Sequence, residues 1–268
     1  MDRARGGAVR TLLALALLAA LGACSPKPLK VCADPNNLPF SNRAGQGFEN
    51  RLASLLGADL QRPVEYVWWA QRRGFVRNTV GKHACDLWPG VAAGFESLAT
   101  SRPYYRSSYV FVTRAGDPLA GLTLDDARLK RLKVGVQMVG DDGANTPPAH
   151  ALTRRGIVDN VRGYLVYGDY AHPDPPADIV RAVADRQIDV GLVWGPLAGY
   201  FARQSNVPLR VEPVTPWLDA NTWPMAFDIS VGVRKDDPKL LKAVNGALAR
   251  RRGEIARVLG DYGVPRAR

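Results

Sequence analysis

Short apolar runs alternate with amphipathic stretches along almost the whole 268-residue chain, and few folds accommodate that order. It is the pattern of a parallel sheet whose strands are joined by crossover helices. Residues 29–33 predict a first strand, and 47–57 predict a helix with apolar residues at helical spacing and a glycine stop. Residues 64–68 predict the second strand, 71–80 its helix, 86–88 a third strand and 109–112 a further one, before Asp117-Pro118 breaks the pattern. A second alternation follows, with strands at 133–136, 161–167, 189–194 and 209–213, and helices at 147–155, 176–186 and 196–203. A strand at 227–233 and a long helix at 237–259, which Asp236 or Asp237 can cap, close the chain. Two alternations of this size imply two α/β lobes, each a doubly wound mixed sheet flanked by helices, with a hinge between them. The expected division is lobe I at 28–114 and 226–268, and lobe II at 115–225. No internal repeat or low-complexity tract interrupts it.

Residues 1–23 stand outside that scheme. Arg3, Arg5 and Arg10 precede an uncharged run over 11–21, the n-region and h-region of a signal peptide, too short to serve as a membrane span. Leu21-Gly22-Ala23-Cys24 resembles a bacterial lipobox, which implies a lipid on Cys24; ordinary cleavage with a soluble product is the other reading. Either way the chain is exported. Removing 1–23 takes away three arginines and Asp2, leaving +9 of the formal +11. Outside the cytoplasm that charge points away from nucleic acid and toward anionic lipid, an acidic substrate or an acidic protein, or serves solubility alone. The other two cysteines, Cys32 in the first strand and Cys85 just before the third, form the expected disulfide of an oxidising compartment. In a sheet ordered 2-1-3 those strands are neighbours. The absence of a CxxC pair speaks for a structural bond rather than redox chemistry.

Sheets of this kind bind ligands at the carboxyl ends of their strands. Here those ends carry Asp34, Asn36 and Asn37; Trp68 and Trp69; Gln137 through Asn145 and Thr146; Asp169 and Tyr170; and Trp194. Asp34, Asn36 and Asn37 either present oxygens and amides to a cleft or satisfy their own turn beside Pro35. Trp68, Trp69 and Trp194 either line a groove for a peptide segment or belong to the core. Arg72, Arg73 and Arg77 either meet an acidic partner or form a solvated face. Asp141 and Asp142 are two adjacent carboxylates without the alternating spacing of a Ca²⁺ loop, and the three histidines lack paired ligand spacing, so neither metal nor cofactor is expected. No nucleophile elbow, P-loop, dinucleotide fingerprint or His-Glu metal motif is present, so the expected protein is a binding module rather than an enzyme.

Several segments carry a resemblance. Ser101-Arg102-Pro103-Tyr104-Tyr105, Gly135-Val136-Gln137 and Ile188-Asp189-Val190 resemble, in order and spacing, segments of the type 2 periplasmic binding proteins, the solute receptors of ABC importers. That resemblance implies the two-lobed fold. It also implies two charged anchors for an amino-acid ligand, yet Gly94 and Trp194 stand where the Arg and the Asp belong. A zwitterion without them would lose hydration it does not recover. The longer stretches VCADPNNLPFSN (31–42), QRRGFVRNT (71–79), PYYRSSYVF (103–111), GDDGANTPPAH (140–150) and VWGPLAGY (193–200) are similar to the MoxJ/XoxJ group, over about residues 29–265. The group implies a periplasmic, monomeric protein that assists maturation or activation of a PQQ-dependent, lanthanide- or calcium-dependent, methanol or alcohol dehydrogenase. Its implied partners are that dehydrogenase and its cytochrome c, and its implied cleft adds Tyr104 and Arg106 to the candidates. A receptor for a small solute that is not an ordinary α-amino acid is the alternative. Trp88 departs from the group's pattern, which has smaller apolar residues there, and leaves the shape of the cleft floor open.

Overall fold

A computed structural model describes residues 26–72, 74–139, 145–166 and 170–267. The signal segment 1–23, Cys24, Arg73, Asp141, Asp142 and Asp169 lie outside the described residues.

The first alternation folds as β1 (Leu29–Ala33), the two-residue strands β2 (Asn36–Asn37) and β3 (Ser41–Asn42), α1 (Phe48–Asp59), β4 (Val64–Trp68), the single turn α2 (Phe75–Asn78), β5 (Leu87–Ala92) and β6 (Ala99–Thr100). The ten-residue β7 (Tyr105–Arg114) leads into β8 (Val134–Met138), α3 (Pro147–Arg154), β9 (Val161–Leu165), α4 (Asp178–Ala184), β10 (Val190–Trp194), α5 (Gly195–Gln204) and β11 (Leu209–Pro213). A small hairpin, β12 (Leu218–Asp219) and β13 (Trp223–Pro224), precedes β14 (Ala226–Val233), α6 (Pro238–Arg250) and α7 (Arg252–Asp261).

β1 lies between β4 and β5, parallel to both, in the expected 2-1-3 order. The pleat sends Val31 and Leu87 to one face, where α1, α6 and α7 cover them, and Cys32 to the other, where Cys85, Phe75, Val91 and Leu98 form a smaller cluster. Cys32 and Cys85 are joined as a disulfide with Cα atoms 5.6 Å apart. β7 belongs to both halves: residues 105–108 pair with β14, residues 109–113 pair with β10 on one side, and residues 110–114 pair with β11 on the other. β10 in turn pairs with β8, and β8 with β9. Separate apolar layers sit on the two faces of this second sheet. Its central strand, Val-Gly-Leu-Val, is a continuous buried run, as a strand covered on both faces requires.

Two helices differ from expectation. The stretch 71–80 yields only four α-helical residues, because Gly74 adopts φ +86° and Thr79 leaves the helical region at φ −118°, ψ −93°. The predicted helix 237–259 is two helices that part at Arg251, where Arg250 and Arg251 both close on Asp59 at 2.5 and 3.3 Å. Asp237 does cap α6, accepting the Leu240 backbone N–H at 2.9 Å.

Candidate functional site

Asp34 is the hub of a buried polar turn. It follows β1 at the carboxyl end of the sheet and is 1% exposed. Its Oδ1 accepts the Asn36 backbone N–H at 2.8 Å, and its Oδ2 accepts the Gln71 backbone N–H and the Tyr170 hydroxyl, each at 2.6 Å. Both readings of this turn therefore hold at once: Asp34 satisfies its own backbone and reaches across to the second lobe. Burial, followed by the adjacent Asp34 carboxylate, drives the Tyr170 phenol well above its ordinary value, so Tyr170 is a committed donor. Beside it, Asn36 Nδ2 donates to the His172 carbonyl at 2.8 Å, and Asn37 Nδ2 donates to Gln71 Oε1 at 2.8 Å.

On the opposing wall, Gln137 is buried. Its Oε1 accepts the Trp194 backbone N–H at 2.7 Å and its carbonyl accepts the Thr146 hydroxyl at 2.6 Å. Asn145, next to Thr146, holds a buried Oδ1 without a partner among the described residues. The Trp194 ring packs against Tyr109 at 5.2 Å and Phe227 at 6.0 Å. Between these walls lies a cavity of about 280 Å³, lined by Asn37, Phe40, Gln71, Tyr109, Gln137, Val166, Trp194, Leu197, Phe227 and Ile229. Its lining is aromatic, aliphatic and amide. No ionisable group other than the Tyr109 phenol, which burial holds protonated, is among them.

The two halves are also joined outside the cavity. Leu38, from the β2–β3 turn of the first half, is buried in the second half's cluster with Val110, Ala177, Val193 and Leu197. Tyr200 on α5 stacks on Tyr262 at 5.6 Å, and Arg203 donates to the Gly260 carbonyl at 2.8 Å. A Cβ on Gly199 would stand 2.0 Å from the Gly263 carbonyl oxygen, so only glycine permits this approach.

The remaining candidates lie elsewhere. Trp68 is half-buried on edge strand β4, stacked on Tyr66 at 4.7 Å with the Arg43 guanidinium 5.7 Å from its centroid. Trp69 is 43% exposed, so the three tryptophans do not share one surface. Arg106 faces outward in an ion pair with Asp228 at 3.0 Å. Tyr104 packs on the first lobe's core with its hydroxyl buried and unpartnered. Arg72 is exposed and lines a separate groove with Arg77 and Trp88. Trp88 thus shapes that outer groove, not the cleft floor.

Sequence reasoning passed over Phe40, Tyr109 and Phe227, whose aromatic rings wall the cavity, and Glu49. The apolar runs 109–112 and 227–233, which open on Tyr109 and Phe227, were the available signal for two of them. Glu49, at the start of α1, is 3% exposed with Oε2 unpartnered. Burial and, second, the nearby Asp34 push its pKa from 4.5 to about 8. Among the described residues no group of three or more His, Cys, Asp or Glu side chains is placed to hold a metal.

No family model matches the chain. Protein MoxJ of Methylorubrum extorquens is 34% identical over 249 residues, covering 88% of this chain and 81% of that protein. The chain belongs to the MoxJ family. Two solved structures agree with that placement. The periplasmic binding protein XoxJ from Methylobacterium extorquens AM1 is 37% identical, with a TM-score of 0.73 over 90% of this chain and 99% of that one. MxaJ from Methlophaga aminisulfidivorans MPT is 28% identical, with a TM-score of 0.75 over 89% and 100%. The two-lobed fold of this MoxJ-family chain is that of the periplasmic binding proteins.

Proposed function

We propose that this chain acts in the periplasm as a non-enzymatic binding protein that assists maturation or activation of a PQQ-dependent, lanthanide- or calcium-dependent, methanol or alcohol dehydrogenase. It does so by binding a segment of that partner in or near its cleft. Membership of the MoxJ family supports the link to methanol oxidation. The observation that carries the binding mode is the cleft: a space of about 280 Å³ with no carboxylate or guanidinium in its lining. Asp34, whose Oδ2 accepts the backbone N–H of the lining residue Gln71, is already engaged by two backbone N–H groups and Tyr170. An α-amino acid would find no partner for either charge there.

The contacts between halves support the same reading. A solute receptor closes by swinging its lobes about a hinge. Here Leu38, the Tyr200–Tyr262 stack and the Gly199–Gly263 approach already join the two sides. We place the lobes at 28–114 with 226–268 and at 115–225, the signal peptide at 1–23 and a lipid on Cys24, and take the mature protein to be a monomer.

The test is affinity capture from periplasmic extract with a tagged, lipid-free chain of residues 25–268, identifying bound proteins and small molecules by mass spectrometry. Recovery of a quinoprotein dehydrogenase or its cytochrome c is expected. Recovery of a small solute alone would overturn the proposal in favour of a transport receptor.

A further inference from the structure

The largest cavity among those characterised is not the cleft. It lies on the disulfide-bearing face of the first lobe, has a volume of about 730 Å³, and adjoins a second of about 290 Å³ with which it shares Val76, Gly81 and Ser97. Together they make one elongated groove. Its floor is apolar and aromatic: Phe75, Val76 and Trp88 line it, and Phe75 packs against Trp88 at 4.7 Å. The disulfide lies in the same cluster as Phe75 and anchors that floor.

Cations stand at both ends. Arg72 and Arg77 line one end; the other carries Arg234 and Lys235 together with the exposed carboxylate of Asp236. Some arginines elsewhere are spent on carboxylates, as in Arg62–Asp86 at 2.7 Å and Arg155–Asp219 at 2.8 Å. Arg234, beside Lys235, is likewise taken up by Asp86 and Asp236. Arg72, Arg77 and Lys235 have no carboxylate within ion-pairing distance among the described residues. Trp88 keeps a buried indole N–H without an acceptor, which costs free energy until one reaches it.

We infer that this groove, which shares Gln71 with the cleft, is the docking site for an extended acidic segment bearing apolar or aromatic side chains. The inference rests on the proposed role in dehydrogenase maturation and deepens it by placing the partner's segment. Its two parts follow from the groove's two parts. The aromatic floor takes the apolar side chains, where anchoring energy concentrates. The unpaired cations Arg72 and Arg77 select acidic residues at their end, steer the approach and, against the mixed-charge end at Lys235 and Asp236, set the register. The length of the double cavity suits a stretched chain better than a compact solute.

The experiment is titration calorimetry on the mature chain with a short capped peptide alternating Glu with Leu and Phe, and with its Lys-for-Glu twin. The Glu peptide is expected to bind, to weaken with added salt, and to lose about tenfold or more in affinity in a chain carrying both R72E and R77E, exposed positions whose change leaves the fold intact. Equal binding of the two peptides, no binding of either, or an unchanged affinity in the charge-reversed chain would overturn the inference. So would binding of benzene-1,3,5-tricarboxylate in the peptide's place. Capturing the dehydrogenase with both chains separates the two claims. Equal recovery removes the groove assignment and leaves the function standing. Binding of the Glu peptide by a chain that captures no dehydrogenase removes the function and leaves the groove.

Discussion

Replacing Glu49 with Gln tests how the first lobe holds a carboxyl group in its interior. Glu49 sits at the start of α1 with its backbone N–H on the Phe40 carbonyl at 2.9 Å, and its side chain lies so close to β5 that a Cβ on Gly90 would stand 2.1 Å from Oε1. Burial and Asp34 raise its pKa from 4.5 to about 8. Between those values the folded state keeps a proton that the unfolded chain releases. Stability is therefore fully present below about pH 4.5 and falls as pH rises, levelling off above about pH 8. From pH 5 to pH 8 the loss is about 4 kcal/mol, or about 10 °C in melting temperature for a chain of this size. Gln has the same shape and no proton to release, so Glu49→Gln flattens that slope, whatever the amide costs at a single pH. Thermal melts of both proteins at several values across this range measure the difference. Parallel pH profiles would show that Glu49 is solvated or paired in solution and refute the argument.

Other perturbations follow from single contacts. Tyr170→Phe removes the 2.6 Å bond to buried Asp34 and is expected to cost about 1–3 kcal/mol in urea unfolding. Gly199→Val pushes a side chain into the Gly263 carbonyl and is expected to part α5 from the C-terminal turn, read as a larger radius of gyration in solution scattering. Replacing both Cys32 and Cys85 with Ser opens a loop with a sequence separation of 53 and is expected to cost about 3–4 kcal/mol in chemical denaturation. Gly90→Ala collides with the buried Glu49 carboxyl and is expected to lose about 1–3 kcal/mol by the same assay.

The strand order β4-β1-β5 and the disulfide were legible because each strand is mainly apolar, broken in β1 and β4 only by a single charged residue, and a periplasmic location puts two cysteines in an oxidising compartment. β7 was harder. Only its apolar stretch near 109–112 stands out in sequence, whereas the strand runs from Tyr105 to Arg114 because β14 pairs with its polar first half. The helix at 71–80 was cut short at both ends, by the dihedrals of Gly74 and Thr79, which spacing does not reveal. Composition marked Trp68, Trp69 and Trp194 as anchors, but which way each faces depends on the pleat and on the neighbouring strand. Leu38 shows the limit most clearly. A lone leucine in a turn has no periodicity, yet it is buried in the far lobe's core. Asp34 stood out as a polar residue just after β1 at the carboxyl end of the sheet; its burial in its own turn, outside the cavity lining, depends on bonds to Gln71 and Tyr170 that no spacing shows.

Whether this chain serves a dehydrogenase is tested most directly in cells that make the quinoprotein alcohol dehydrogenase with and without it. The measurement is the fraction of periplasmic dehydrogenase that is active and loaded with cofactor. The account predicts that this fraction falls when the chain is absent and returns when it is restored. Full loading and activity in its absence would contradict it.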